Sequence, residues 1–257
     1  MTRISRRRLL EESTRLVGAT AALGLPLGGS WGVAEPPKPA KLKIVVVGGH
    51  PDDPQAGCGG TMARYTDLGH EVIALFLTRG ELAFPEKPRE ENAALFTREA
   101  AKSCEILKVR PLFANQIDAH TEINISRYEE FRKLLEAERP DLVFTHWPVD
   151  SHRDHRAASL LAYDAWFEDG KKFDLYYYEV ESGAESQSFL PNLYVDITAT
   201  EDRKRASCYA FPESVGRWGW YATHEQMQRF RGIEVGVKSA EAYFHVHESG
   251  SLAPPGV

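Results

Sequence analysis

Short runs of β-branched and aliphatic residues recur along the chain, separated by longer stretches with apolar residues at helical spacing. Leu42–Gly49 (LKIVVVGG) is an apolar run ending in glycine, the pattern of a buried strand. Gly57–Leu68 reads as a helix stopped by Gly69, and Glu71–Thr78 as a second buried strand. A loop over 81–90 carries Pro85 and Pro88. A long helical stretch, 90–107, and a short strand, 111–114, follow it. The spacing predicts a helix over 127–138, ended by Pro140, a strand over 141–145, a helix over 152–168, and strands over 173–180 and 193–197. Helices are expected at 199–210 and 223–231, and no repeat or low-complexity tract is present.

Strands alternating with helices of this length predict an α/β fold of the Rossmann-like kind: a mostly parallel sheet with helices on both faces. Ligands of such sheets sit beyond the carboxyl ends of the strands. The first strand is followed by His50-Pro51-Asp52-Asp53, and the fourth by a stretch from His146 to His155 holding Asp150, His152 and Asp154. A parallel sheet brings both clusters to the same edge. One histidine beside a strand is most simply a hydrogen-bonded structural residue. Two His/Asp clusters at equivalent strand ends are different, because packed carboxylates repel unless a cation stands among them. Imidazole with carboxylate suits Zn²⁺, with Fe²⁺, Co²⁺, Ni²⁺ or Mn²⁺ as alternatives, and three protein ligands plus an open position is the catalytic arrangement. Surplus acidic groups suit a general base beside the ion.

The amino-terminus changes the picture in a separate way. Arg6-Arg7-Arg8 precedes an uncharged Gly/Ala-rich stretch from Leu16 to Gly29, and Gly32-Val33-Ala34 offers small residues for cleavage. The arginine doublet resembles a twin-arginine export signal. We read residues 1–34 as that signal, 35–41 as a Pro/Lys linker and 42–250 as one domain, which makes the protein periplasmic or secreted. A basic tail or an anchor is the blander reading, but the apolar stretch contains Pro26 and is short of the ~20 residues that a spanning helix needs. No later segment is long and apolar enough to span a bilayer.

The chain has 257 residues, 42% hydrophobic and 26% charged, and a formal net charge of −6. Loss of residues 1–34, with five arginines and two glutamates, takes that to −9. This balance argues against a nucleic-acid partner, which needs clustered basic residues. The expected partner is a small molecule or a glycan, with oligomeric state open. Cys58, Cys104 and Cys208 are too few for a disulfide framework or a cysteine zinc site, although Cys104 and Cys208 could pair in an oxidising compartment.

HPDD after the first strand, GCGGT (57–61), a strand ending LTRGE (77–81), TREAAKSCEILKV (97–109) and HRDH (152–155) occur in that order over residues 42–165. Together they resemble the LmbE-like family of zinc-dependent N-deacetylases, which includes the GlcNAc-phosphatidylinositol de-N-acetylases of the PIG-L group. GVKSAEAYF (236–244) is similar to a tail often seen there. The resemblance implies that His50, Asp53 and His155 are the ligands of one zinc ion per chain. It implies that Asp52 is the general base toward the attacking water, that His152 stabilises the oxyanion and can protonate the leaving amine, and that Asp154 orients a histidine. It also suggests Arg98 as a substrate-facing arginine and Asp118 as an acceptor for a sugar hydroxyl. Against these stand a helix-surface ion pair of Arg98 with Glu99 or Glu105, and an ordinary turn role for Asp118.

The expected activity is hydrolysis of an N-acetyl group on a sugar or glycoconjugate. The alternatives are a non-catalytic metal-containing carbohydrate-binding protein and an amidase for a non-sugar amide. Intact Asp52 and His152 favour an enzyme, since binding alone needs neither. Gly57, Gly59 and Gly60 are expected to bring backbone close to the site. Two departures stand out: Pro54 and Gln55 follow HPDD where the family commonly has Glu, and Asp150 lies where some relatives have a tyrosine. Trp218, Trp220 and Tyr221 with Arg217 are either a sugar-stacking wall or core. The pocket rim is expected from loops near 81–92, 116–124 and 182–192.

Overall fold

The computed structural model describes residues 41–246. The expected export signal, the linker up to residue 40 and the last residues of the expected domain lie outside them.

Strand β1 (Lys43–Gly48) opens the fold, followed by α1 (Asp53–Asp67), β2 (Glu71–Phe76), α2 (Arg89–Leu107) and β3 (Arg110–Phe113). Then come α3 (Ile125–Glu138), β4 (Leu142–His146), α4 (Arg153–Glu168), β5 (Asp174–Tyr178) and β6 (Leu193–Asp196). The last elements are α5 (Glu201–Cys208), α6 (Pro212–Trp218), α7 (Trp220–Val235) and β7 (Ala240–His245). The strands form a seven-stranded sheet in the order β3-β2-β1-β4-β5-β7-β6. β3 through β5 are parallel, while β7 runs antiparallel to both β5 and β6. The mostly parallel α/β sheet expected from the sequence is therefore present.

Strand alternation divides the core in two. Ile44, Val46, Phe76, Phe144 and Tyr178 face one side and pack with Cys58 and Met62 of α1 and Leu95 and Cys104 of α2. Val45, Val47, Leu75 and Val143 face the other and pack with Phe131 of α3 and Leu161 and Trp166 of α4. Both faces are covered, which is why β1 reads as a continuous apolar run rather than an alternating one. Pro111 is tolerated because β3 is an edge strand.

Several boundaries differ from the sequence expectation. The helix expected from Gly57 begins at Asp53, with Pro54 in its first turn. Proline is favoured there, since the N–H it lacks would have no helical partner. Gly57, Gly59 and Gly60 thus lie in the middle of α1 rather than at its start beside the site. Their role is to let the helix sit close to its neighbours. A Cβ on Gly57 would fall 2.3 Å from Tyr178 Cδ2 and one on Gly60 2.6 Å from Ile197, while Gly59 faces Lys204. The sequence pattern does not predict α6, and it places β7 only within a familiar-looking tail. All three cysteines are buried and free, so the Cys104–Cys208 bridge does not form. Among the described residues no helix is long and apolar enough to cross a membrane.

Candidate metal centre and cleft

β1 and β4 are neighbours at the centre of the sheet, in register from Ile44 with Leu142 to Val46 with Phe144. Their carboxyl ends therefore bring the loop before α1 against the loop before α4. Gly49 makes the approach possible, since a Cβ there would meet His155 Cδ2 at 3.1 Å. A cleft of about 450 Å³ opens at this edge, lined among others by His50, Asp52, Asp53, Asp118, His152 and His155.

Three donors converge in it. His50 Nδ1 lies 3.2 Å from Asp53 Oδ2, His155 Nε2 lies 3.4 Å from Asp53 Oδ1, and the two imidazole nitrogens are 3.3 Å apart. Ligands held at about 2.0–2.1 Å around a tetrahedral ion are separated by about 3.3 Å, so the donor set fits such an ion. Each imidazole is turned by a carboxylate on its other nitrogen. Asp154 Oδ2 is 3.2 Å from His50 Nε2, and Asp150 Oδ1 is 3.1 Å from His155 Nδ1. Such partners fix the ring and leave the free nitrogen for a cation. Asp154, fully buried, is itself held by the Ala119 N–H at 2.7 Å and the Thr121 hydroxyl at 2.6 Å.

The electrostatics point the same way. Burial opposes a charge on His50, but Asp53, Asp118 and Asp154 together outweigh it and raise its pKa well above the ordinary value. Burial likewise opposes charge on His155, and Asp53 with Asp150 push it up to about 10. Asp53 is held well below the carboxylate range despite burial, by His155, His146 and His50. Protons on two histidines are thus the positive charge that these carboxylates demand, the position that a bound cation takes over.

Asp52 is not tied into this set. It lines the cleft beside Asp53, and burial, with the neighbouring Asp53 charge, pushes it up to about 6. His152 caps α4: its Nδ1 accepts the Asp154 N–H at 3.2 Å. The neutral ring then carries its proton on Nε2. Burial and the nearby His50 hold His152 down at about 4. His146 sits behind the cluster, fully buried, with Nε2 3.1 Å from Asp53 Oδ2. With Asp53 and His155 it makes a second, wholly buried group of donors.

The two weaker assignments separate. Asp118 lines the cleft, with Oδ2 accepting the Leu82 N–H at 3.1 Å and Oδ1 3.4 Å from His50 Nε2. Arg98 is exposed on α2 and is not among the residues that line the cleft, because its side of that helix faces solvent. Pro54 does not line it either; it packs beneath Gly48, so the departure after HPDD is absorbed by the sheet. Asp150 was legible only as an oddity beside HRDH. Its role depends on the His155 ring turning back over the helix start. Trp218, Trp220 and His224 line the cleft, whereas Tyr221 is core. The loops expected at the rim contribute Leu82, Asp118, Ala119 and Glu185.

Residues 45–166 match the family PIG-L, described as GlcNAc-PI de-N-acetylase. The matched segment makes up just under half of the chain. It resembles the diacetylchitobiose deacetylase of Thermococcus kodakarensis, 34% identical over 130 residues, 48% of this chain and 48% of that one. The chain thus spans about half the length of this relative. Among solved structures, a conserved protein of Thermus thermophilus superposes with a TM-score of 0.70 at 27% identity, covering 82% of this chain and all of the other. A 4-carboxy-2-hydroxymuconate hydratase of Pseudomonas putida reaches 0.72 at 19% identity, covering 82% of this chain and 98% of its own. The likeness to the hydratase concerns the fold alone, so the reaction of this chain has to be argued from its side chains.

Proposed function

We propose that the protein is a metal-dependent deacetylase that hydrolyses the N-acetyl amide of a sugar or glycoconjugate to acetate and a free amine. The observation that carries the reading is a division of labour at one cleft. His50, Asp53 and His155 converge on a point, while Asp52 lines the same space outside that set and His152, within reach of His50 and His155, has its Nδ1 taken by the α4 cap. A non-catalytic sugar-binding protein has no use for that division. The naming of the Thermococcus relative as a deacetylase supports the same reaction class.

His50, Asp53 and His155 would hold one divalent ion, for which two imidazoles and a carboxylate favour Zn²⁺. Such an ion polarises an acyl carbonyl and lowers the pKa of water to about 7. The chain's residues supply the rest. The Asp52 carboxylate, with its pKa raised to about 6, takes a proton from the attacking water near neutral pH. His152 presents its Nε2–H to the oxygen on which negative charge develops. As the C–N bond breaks, the proton held by Asp52 passes to the departing amine, so water is divided between acetate and amine. Asp150 and Asp154 keep the two ligand imidazoles turned toward the centre.

Acetate release across a panel of N-acetyl sugars, with metal restored, tests the activity. No release at full metal content overturns it. His50→Ala, Asp53→Ala and His155→Ala should each lose the ion by elemental analysis, and retention in all three overturns the ligand assignment. We also propose that residues 1–34 direct export by the twin-arginine route. β1 starts at Lys43, so removing the segment leaves that strand whole. Changing Arg6 and Arg7 to lysine should hold the precursor inside the cell.

A further inference from the structure

Part of the cleft is built by residues with no task in the proposed hydrolysis. Trp218, at the end of α6, is half exposed and lies stacked on Phe84, ring centroids 5.2 Å apart at 24°. It is a rigid apolar plate at the cleft. Trp220, at the start of α7, lines the cleft one residue beyond the Gly219 turn and meets His224 edge to face at 6.0 Å. A half-exposed indole stacked on a second ring, with a partly buried one beside it, suits the apolar face of a sugar ring.

His224 is the second observation. Only 4% exposed, it lines the cleft, and its ring nitrogens make no hydrogen bond to the described residues. A polar ring at a cleft wall with no hydrogen-bond partner among the described residues is left to meet what enters the cleft. Burial, with the charge of Lys204 beside it, holds its pKa down at about 3. The ring is neutral and offers one donor and one acceptor, the pair that a hydroxyl or an acetamido group satisfies.

Charge is the third. The cleft is lined by five carboxylates, Asp52, Asp53, Asp118, Glu181 and Glu185, and among the described residues by no lysine or arginine. Glu181 and Glu185 come from the loop after β5, outside the proposed ligand set.

We propose that Trp218, Trp220, His224 and the Glu181–Glu185 loop form a substrate-selecting subsite for an amido sugar that is uncharged or carries an ammonium group, and that it turns away phosphorylated sugars. The proposal rests on the deacetylase reading and adds the substrate class to it. A phosphorylated substrate would bring its charge against Glu181 and Glu185 with no lysine or arginine at the cleft wall to receive it. Repulsion of that kind is a means of specificity in its own right. The subsite would therefore set this chain apart from a family member that acts on a phosphatidylinositol-linked sugar.

Calorimetric titration of the zinc-loaded protein at pH 8 with N-acetylglucosamine and with N-acetylglucosamine 6-phosphate tests it. The neutral sugar should bind at least about tenfold more tightly. The double variant Glu181→Gln, Glu185→Gln should close most of that gap. His224→Ala should weaken the neutral sugar by about tenfold at unchanged zinc content, and His224→Gln, which keeps a donor and an acceptor, should recover part of the loss. If His224→Ala does not fold, His224→Gln with the paired glutamate variant still decides the matter. Equal or tighter binding of the phosphate, a gap that survives the glutamate changes, or no binding of either sugar overturns the subsite. Acetate release from both sugars with equal kcat/KM also overturns the subsite but leaves the hydrolysis standing. Charge discrimination in binding without acetate release does the reverse.

Discussion

Asp150 holds His155 by its Nδ1, with Oδ1 at 3.1 Å, and so turns Nε2 toward Asp53 and His50. The same carboxylate accepts the His152 N–H at 2.8 Å and the Ser186 hydroxyl at 3.0 Å. One buried side chain thus joins the start of α4 to the loop after β5. Asp150→Ala should weaken metal binding by about 10–100-fold, the usual effect of losing such a partner. Competition with a chromogenic chelator measures it. Affinity equal to the parent would remove Asp150 from the proposed centre.

Asp52 and Asp53 are adjacent in sequence but placed for different work, one lining the cleft uncommitted and the other among the converging donors. Asp52→Asn should keep its ion and lose about 10²–10⁴-fold in kcat, the range attributed to a general base. Metal analysis and turnover on the same sample separate the two. Full activity in this variant would transfer the proton to another carboxylate.

A buried ion pair fixes the helix that carries Asp53. Lys204 Nζ and Glu241 Oε1 are 2.7 Å apart, each side chain 2% exposed. Glu241 also accepts the Gly60 N–H at 2.9 Å, the Thr61 N–H at 2.8 Å and the Tyr243 hydroxyl at 2.9 Å. Glu241→Ala would strand the Lys204 charge and two helical N–H groups. Its expected cost is about 3–5 kcal/mol of stability, measured by urea unfolding. A loss under about 1 kcal/mol would mean that water or a shift of α5 replaces the pair.

Glu99, buried on α2, has its pKa raised to about 7 by burial, with Glu213 and Asp52 adding to the shift. Its Oε2 has no hydrogen-bond partner among the described residues. The folded protein therefore holds this proton more tightly than the unfolded chain does. Stability from Glu99 is full below the ordinary carboxyl value and is lost as pH climbs from there through about 7. Glu99→Gln should flatten the fall in unfolding free energy between pH 5 and pH 8. Parallel curves for the two proteins would place the titration elsewhere.

The parts legible in the sequence were those in which chemistry and structure coincide locally. HPDD follows a β-branched run and HRDH follows another, and parallel strands carry both to one edge whatever else the fold does. Their partners were not legible in the same way. That Asp154 serves His50 while Asp150 serves His155 depends on how two rings turn after β1 and β4 have paired. Gly57, Gly59 and Gly60 were legible as part of a helix, but the close approach they allow is to Tyr178, Lys204 and Ile197, which no local pattern could name. Arg98 misled because a motif supplied its position, and the helix phase turns it to solvent. His224 carried no signal at all, being one histidine in a helix that meets the cleft only by tertiary packing.

The pairing of β1 with β4 has a consequence for the order in which the molecule assembles. Three helices and two strands are made between them before His50 can meet His155, 105 positions along the chain. A contact so distant in sequence is entropically expensive to close, and parallel pairings of this kind come late in folding. The centre therefore cannot exist in a partly folded chain that has only its local α/β units. A cation needing both loops would bind only after the middle of the sheet had closed and would then slow its reopening. In that sense the candidate metal centre is also a latch: occupancy reports that the central pairing of β1 with β4 has been completed, and holds it so.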